Sequence, residues 1–160
     1  REFMSEELDR YDRHILKILQ DDGRISNQHL ADQVGLSTAA CWRRVKSLDE
    51  RGILKRHTTL VDPEALGYGL CVMIMVTLIR HQQDHTKEFE AAVQSFPEVL
   101  QCYAVTGNAD YVLRVVIPNM AAYDTFLSEK IFTLPGVNQV KSNFALREVK
   151  YETAIPVDLG

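Results

Sequence analysis

Four residues at helical spacing, Ala39, Arg43, Lys46 and Ser47, have the types that recognition chemistry needs. On a helix at about 100° per residue they share one side, opposite Cys41, Val45 and Leu48. An arginine on such a face presents a planar fork that matches guanine O6 and N7, while a lysine beside it suits phosphate. Upstream, Ser37 and Thr38 add hydroxyls and a helix N-terminus adds amides, both suited to a phosphate, and the small side chains of Ala39 and Ala40 permit close approach to a groove. Downstream, Arg51, Lys55, Arg56 and His57 extend the basic surface. Arg44 falls on the flank of the helix, placed to pair with an acid of the first helix. Trp42 flanks the apolar stripe and is expected to pack against that first helix. Against this stands the reading of a solvated basic helix face with no partner.

A second constellation is Gly107-Asn108-Ala109-Asp110-Tyr111. Glycine permits a tight bend with exposed amides that seat a carboxylate, Asp110 supplies a charge for an ammonium group, and Asn108 supplies donors and acceptors. The same residues also read as a turn between two strands with Asp110 as a local cap. Sets that would point to catalysis are missing: no Ser/His/Asp order, P-loop or GxGxxG occurs. His81 and His85 lie four apart, as two ligands on one helix face would, but they straddle a strand end and a helix start with no completing ligand nearby. Solvated histidines are the expectation, with no metal, no cofactor and no enzymatic activity.

The elements that must position these groups follow from periodicity. Leu8, Tyr11, Ile15, Ile18 and Leu19 form the apolar face of a first helix that Asp21-Asp22-Gly23 ends. Ser26 caps a second helix with Leu30, Ala31 and Val34 inward, and Gly35 suits a left-handed end. Ser37 caps a third helix running to about Arg51. This is a helix-turn-helix pattern, and the β-branched, basic stretch Ile53–Val61 reads as the strand of a wing. Beyond it the pattern alternates: strands over Leu70–Arg80, Val99–Thr106, Tyr111–Ile117 and Val137–Val149, with helices over Asp84–Phe96 and Met120–Phe132. The order βαββαβ is the ferredoxin-like arrangement. Phe96-Pro97-Glu98-Val99 and Leu134-Pro135-Gly136-Val137, each after a helix and before a strand, mark an internal repeat.

Charge divides along the same line. The 160 residues are 46% hydrophobic and 25% charged, a globular composition, with net charge −4. Residues 1–62 hold eleven basic and eleven acidic residues and are neutral; the remainder holds seven basic against eleven acidic, which is the whole −4. Residues 37–57 hold six basic residues and two acidic ones, a local +4. The overall acidity therefore does not argue against a local DNA-binding patch. Cys41, Cys71 and Cys102 are widely spaced among apolar neighbours and read as buried, reduced thiols. The longest apolar stretch, Leu70–Ile79, is strand-sized rather than membrane-spanning, and no signal peptide is recognised, so a cytoplasmic protein is expected.

The ordered fragments resemble one family. Leu8-Asp9-Arg10-Tyr11-Asp12-Arg13-His14-Ile15-Leu16 through Asp22-Gly23-Arg24-Ile25-Ser26-Asn27 is similar to the start of the Lrp/AsnC (leucine-responsive/asparagine-specific) regulators. Val34-Gly35-Leu36-Ser37 and Cys41-Trp42-Arg43-Arg44-Val45 with Leu48 resemble their recognition helix, and Gly107-Asn108-Ala109-Asp110-Tyr111 their Gly-x-x-Asp-Tyr turn. Leu134-Pro135-Gly136-Val137 and Glu148-Val149-Lys150 match as well. One departure is that many members carry proline in the segment matched by Thr38–Ala40.

The resemblance implies an α+β protein: a winged helix-turn-helix followed by a ferredoxin-like βαββαβ domain. The corresponding division is 1–3 as a cloning remnant, 4–62 as DNA-binding domain, 63–69 as linker and 70–160 as ligand-sensing and oligomerisation domain. It implies double-stranded DNA, an amino-acid effector and other copies of the chain as partners. Family members pair through the sheets of the second domain, commonly as octamers of four dimers, with the effector between dimers near the Gly-x-x-Asp turn. The implied effector residues are Gly107, Asn108, Ala109, Asp110 and Tyr111, with Ser142 on the last strand. The implied DNA residues are Ser37, Thr38, Ala39, Ala40, Arg43, Lys46, Ser47, Arg51, Lys55 and Arg56. The alternative is an architectural DNA-binding protein with no ligand response.

Overall fold

Capping side chains set the limits of the three N-terminal helices. The computed structural model of the chain describes residues 7–79 and 83–158. Asp9 accepts from the Asp12 N–H at 2.9 Å and starts α1 (Arg10–Asp21). Ser26 accepts from the His29 N–H at 3.2 Å and starts α2 (Asn27–Val34). Gly35 ends α2 in the left-handed region (φ 75°), which lets the Leu36 N–H return to the Ala31 carbonyl at 2.9 Å. Ser37 accepts from the Ala40 N–H at 3.2 Å and starts α3 (Thr38–Glu50), so the missing family proline does not shift the start expected from the cap. Ile15, Leu16, Leu30, Ala31, Val34, Cys41 and Leu48 form the core of this helical unit.

By contacts, residues 7–60 group with residues 150–158, and 61–149 form a second unit. The sequence division ran the second domain on to residue 160, whereas the last stretch packs on α1. Val157 packs against the helical core. The Gln20 amide brackets Ile155, donating to its carbonyl at 2.9 Å and accepting from its N–H at 2.7 Å, and Arg13 donates to the Asp158 carbonyl at 3.1 Å.

The wing strand is a correction. Ile53 and Leu54 pack on the helical core, but residues 55–62 are exposed and pair with no strand among the described residues. The reason lies in the sequence that follows. Asp62-Pro63 opens a short 3₁₀ turn over Glu64–Leu66, which leaves no return strand to satisfy the backbone of a hairpin.

The second unit is one four-stranded antiparallel sheet with strands β1 (Leu70–Leu78), β2 (Val99–Ala104), β3 (Tyr111–Ile117) and β4 (Val137–Phe144) in the order β2-β3-β1-β4. The helices α4 (Gln83–Gln94) and α5 (Met120–Phe126) supply Phe89, Val93, Tyr123 and Phe126 to the core on one side, against Val72, Ile74, Val76, Leu113 and Val115. The two proline junctions form the same turn: Val99 N–H bonds to the Phe96 carbonyl at 3.1 Å and Val137 N–H to the Leu134 carbonyl at 3.5 Å. The last helix buries Tyr123, Phe126 and Ile131 and packs Leu127 against the same core, and α5 passes into a π-helical stretch over Leu127–Ile131.

The cysteine expectation also needs correction. All three are free, but only Cys41 is buried; Cys71 is half-buried and Cys102 exposed. Cys102 lies on β2, an edge strand whose side chains are almost all exposed, so apolar sequence neighbours there do not translate into cover. Among the described residues no helix is long and apolar enough to cross a membrane.

Candidate functional site

The helix-3 surface is built by locking one side and freeing the other. Cys41 and Leu48 are fully buried and Val45 packs beside them. Arg44 turns to α1, where its Nη1 lies 2.8 Å from both Asp9 Oδ2 and Asp12 Oδ1 and its guanidinium stacks 5.3 Å from the Tyr11 ring centre. This is the pairing with a first-helix acid that the wheel position suggested. The pairing holds the guanidinium pKa above its ordinary value through the Asp12 and Asp9 bonds. Asp9 is held below its ordinary carboxylate value, chiefly by the Asp12 backbone N–H and further by Arg44.

Arg43, one residue earlier, is exposed and makes no hydrogen bond, ion pair or ring contact among the described residues. Ala39 and Lys46 are exposed on the same side, with Ser47 and Ala40 half-buried at its margin. Lys46 is less available than its position suggests, because its Nζ lies 3.6 Å from Glu50 and 5.2 Å from the Trp42 ring centre. Ser37 and Thr38 are exposed at the helix start, where the Ser37 hydroxyl caps Ala40 and the Thr38 carbonyl accepts from the Asn27 side chain at 2.9 Å. Lys55 and Arg56 are exposed on the extended segment, and Arg51 is half-buried with an interaction of its own. Trp42 is a correction: it is 54% exposed rather than packed on α1. Arg44 and Tyr11 already fill the space between α3 and α1, and Trp42 lies about 160° around the helix from Arg44.

The turn constellation is more deeply embedded. Gly107 adopts φ 111°, and Gly107 and Asn108 are exposed while Ala109 and Asp110 are half-buried. Asp110 ties three segments together. Its N–H donates to the Val76 carbonyl and its carbonyl accepts from the Val105 N–H, both at 2.9 Å, while its Oδ2 accepts from the Leu78 N–H at 2.7 Å. Leu78 stands where the β1–β4 register shifts, so the carboxylate satisfies an N–H at an irregular strand end. This is the cap reading of Asp110, with a partner 32 residues away.

Tyr111 faces α4: its ring stacks on Phe89 at 4.7 Å and its hydroxyl donates to Glu90 at 2.6 Å. Burial and the Glu90 carboxylate push its phenol pKa well up. Ser142 also faces the helices and hydrogen-bonds the Tyr123 hydroxyl. Tyr111 opposes Val76, which opposes Val140 two residues before Ser142, so strand spacings put Ser142 roughly 12 Å from Tyr111. Within one chain the turn and Ser142 are therefore not brought together.

Of the histidine pair, His81 lies outside the described residues. His85 is half-buried, with Nδ1 buried and no hydrogen-bond partner among the described residues. Among those residues no group of three His, Cys, Asp or Glu is placed to hold a metal ion.

Two family models match this architecture: a winged helix-turn-helix DNA-binding domain over residues 8–55 and an Lrp/AsnC ligand binding domain over residues 71–155. The leucine-responsive regulatory protein of Salmonella typhimurium is 40% identical over 151 residues, 94% of this chain and 92% of that one. A Neisseria meningitidis transcriptional regulator solved as an L-methionine complex superposes with a TM-score of 0.90 at 36% identity, covering 95% of this chain and 98% of that one. An AsnC family transcriptional regulator from Agrobacterium tumefaciens gives a TM-score of 0.87 at 40% identity, covering 92% and 96%. The chain belongs to the Lrp/AsnC family of transcription regulators, joining a winged helix-turn-helix DNA-binding domain to an Lrp/AsnC ligand-binding domain.

Proposed function

We propose that the chain is a cytoplasmic, non-enzymatic regulator that reads double-stranded DNA through the outer face of α3 and answers to an amino acid held at the Gly107–Tyr111 turn. The observation that carries the DNA half is the contrast between two adjacent arginines. Arg44 is neutralised by two carboxylates, whereas Arg43 is exposed without a partner on the capped helix. An unpaired guanidinium on that face is suited to a guanine edge. Ser37, Thr38, Ala39, Ala40, Lys46 and Ser47 border it, and Arg51, Lys55 and Arg56 lie downstream to meet phosphates.

Self-association fits the open side of the sheet. The register places Met73, Met75, Val112 and Tyr103 on the side away from the helices, with Met73 41% and Tyr103 58% exposed. A sheet face that mixes these apolar side chains with Arg114 and Lys141 suits a second copy, and a two-fold dimer presents two α3 faces to half-sites about one DNA turn (~34 Å) or a multiple apart. Effector binding between such dimers, in an octamer or another tetramer of dimers, would shift assembly through its differential affinity. Gly107, Asn108, Ala109 and Asp110 supply the polar groups; a contribution from Ser142 or Tyr111 requires a neighbouring copy or a local rearrangement.

One observation favours the architectural alternative without a ligand response: the Asp110 carboxylate is already engaged with Leu78. Asp110→Asn separates the two readings, because asparagine keeps an acceptor for the Leu78 N–H and loses the charge for an α-ammonium. A thermal-shift panel of the amino acids on the full chain should show one or more that raise the melting temperature. Asp110→Asn should melt like the parent without ligand and lose that rise. A flat panel for the parent chain supports the architectural reading. Arg43→Ala should weaken specific DNA binding by roughly 1–3 kcal/mol with assembly intact by sedimentation. Unchanged affinity would remove α3 from the interface.

A further inference from the structure

We infer that Trp42, held by Lys46, is a specificity-determining residue that reads a thymine methyl group in the major groove beside the base edge met by Arg43. The inference rests on the α3 reading above and adds a second kind of contact to it. Ala39, Trp42, Arg43 and Lys46 are separated by three and four residues, so they form one contiguous diamond on the helix surface. All four are exposed. At its N-terminal corner the small Ala39 leaves a shallow place beside the indole and the guanidinium. The diamond therefore presents an apolar plate, a gap and a cationic fork side by side. That matches the chemistry of adjacent base pairs, where the thymine methyl is the apolar group in the major groove and guanine O6/N7 is the acceptor pair.

Three features separate this from an incidental exposed apolar side chain. Trp42 is the single tryptophan of the chain, and it is exposed on a helix that buries Cys41 and Leu48 elsewhere on its surface. It also has a cationic neighbour: the Lys46 ammonium lies 5.2 Å from its ring centre and forms an ion pair with Glu50 at 3.6 Å. A cation near the indole face favours one placement of the ring on the helix surface. Finally, Lys46 is occupied on both sides by Trp42 and Glu50, so it acts as a positioning residue for the indole rather than as a free phosphate contact. Reading a methyl group with a rigid aromatic plate costs little side-chain entropy, since the indole has two rotatable bonds.

The test uses the full-length chain and duplexes enriched from a random-sequence pool by the parent protein. Thymines in the enriched site are replaced one at a time by deoxyuracil, which removes only the 5-methyl group. One position in each half-site should weaken parent binding by about fourfold, the equivalent of burying one methylene (~0.8 kcal/mol). Trp42→Ala should bind the thymine site more weakly and lose the thymine/uracil difference, while Trp42→Phe should retain part of it. Lys46→Met, which frees the ring, should reduce the difference. Because Trp42 is exposed, these variants should keep the parent's circular dichroism and melting temperature. The parent provides a readout without mutation: emission of its single tryptophan should shift to the blue and resist acrylamide quenching on the enriched duplex. If no sequence is enriched, the α3 interface and this inference fall together. If a site is enriched and Arg43→Ala weakens it, but every uracil duplex binds like its thymine counterpart or Trp42→Ala keeps the difference, the interface stands and this inference is overturned.

Discussion

Among the described residues the helical unit buries seven apolar side chains in its core and the sheet unit thirteen. The difference is one of kind as well as size. In the sheet unit the core is continuous from Val72 on β1 through Phe89 on α4 to Ile131 beyond α5. The helical unit adds polar fasteners to its small core: Arg44 joins α3 to two aspartates at the start of α1, and Gln20 and Arg13 hold the chain's last described segment on α1. A unit held this way keeps the outer face of α3 exposed, since deepening its core would mean covering that face. The sheet unit can lose a methylene and suffer a cavity; the helical unit is more exposed to the loss of a charge or a strap.

The largest expected effect tests the apolar side of this contrast. Phe89 is fully buried, stacks on Tyr111 and belongs to the continuous core. Phe89→Ala should destabilise the sheet unit by about 3–5 kcal/mol through the lost transfer energy and the cavity. Denaturant titration followed by methyl NMR should show it in the sheet unit's valines and isoleucines. A loss below 1 kcal/mol would mean that this core tolerates gaps and that the two units do not differ as described.

Next in size is the charged fastener. Asp12 is 8% exposed, so Arg44→Ala leaves a buried carboxylate without its cation, and a cost of about 1–3 kcal/mol to the helical unit is expected. Asp9→Ala removes only the more exposed partner and the cap, and should cost about 1 kcal/mol. Chemical denaturation followed by Trp42 emission checks both, since the only tryptophan lies in this unit. If Arg44→Ala proves harmless, the helical core alone holds α3.

How far the sequence foretold these parts depends on the range of the interaction. The limits of the second and third helices were legible because Ser26 and Ser37 act within three residues, and Gly35 acts at its own position, whereas the Asp9 cap of α1 was missed although it acts over the same range. The βαββαβ order was legible from alternating periodicities and the repeated proline junction. Arg43 and Arg44 were assigned opposite roles from a helical wheel alone. The readings that failed each depended on a distant partner, although the Arg44 pairing shows that some such partners could be read. Ile53–Val61 has strand-like residues but no second strand to pair with among the described residues. Trp42 was placed on α1 by its apolar character, although Tyr11 and Arg44 occupy that side. The turn at Gly107–Tyr111 was correctly located, but that Asp110 reaches across to Leu78, that Tyr111 points to Glu90, and that Ser142 bonds Tyr123 all depend on strand register.

The strap predicts a smaller effect. Gln20→Ala removes both hydrogen bonds to Ile155, each exposed and worth about 0.5–1 kcal/mol or less. The expected result is a loss of about 1 kcal/mol in the helical unit, together with faster amide exchange at Ile155. The sheet unit should be unaffected. If exchange at Ile155 does not change, the last segment is not held by this pair.

The smallest effect divides the two units by pH. The carboxylates held low, Asp9 and Glu152, both belong to the helical unit, whereas the phenols held high by burial, Tyr111 and Tyr123, belong to the sheet unit. A carboxylate with a lowered folded-state pKa contributes stability that is present above its unfolded value and is lost as pH falls through the folded one. For Asp9 the ordinary value is 3.8, so the loss begins near pH 4 and grows below it. Its exposure and solvent screening keep the effect below about 1 kcal/mol. A phenol with a raised folded-state pKa behaves oppositely: its contribution is present below the ordinary value of 10.0 and is lost only as pH rises through the higher folded value. Acid should therefore weaken the helical unit first and alkali above pH 10 the sheet unit. Asp9→Asn keeps an N-cap acceptor but removes the titrating charge, so it should flatten the acid response seen by Trp42 emission and leave the alkaline response of the sheet methyl groups unchanged. An identical acid profile for Asp9→Asn and parent would show that the Asp9 charge contributes no measurable energy, through either the Asp12 N–H or Arg44.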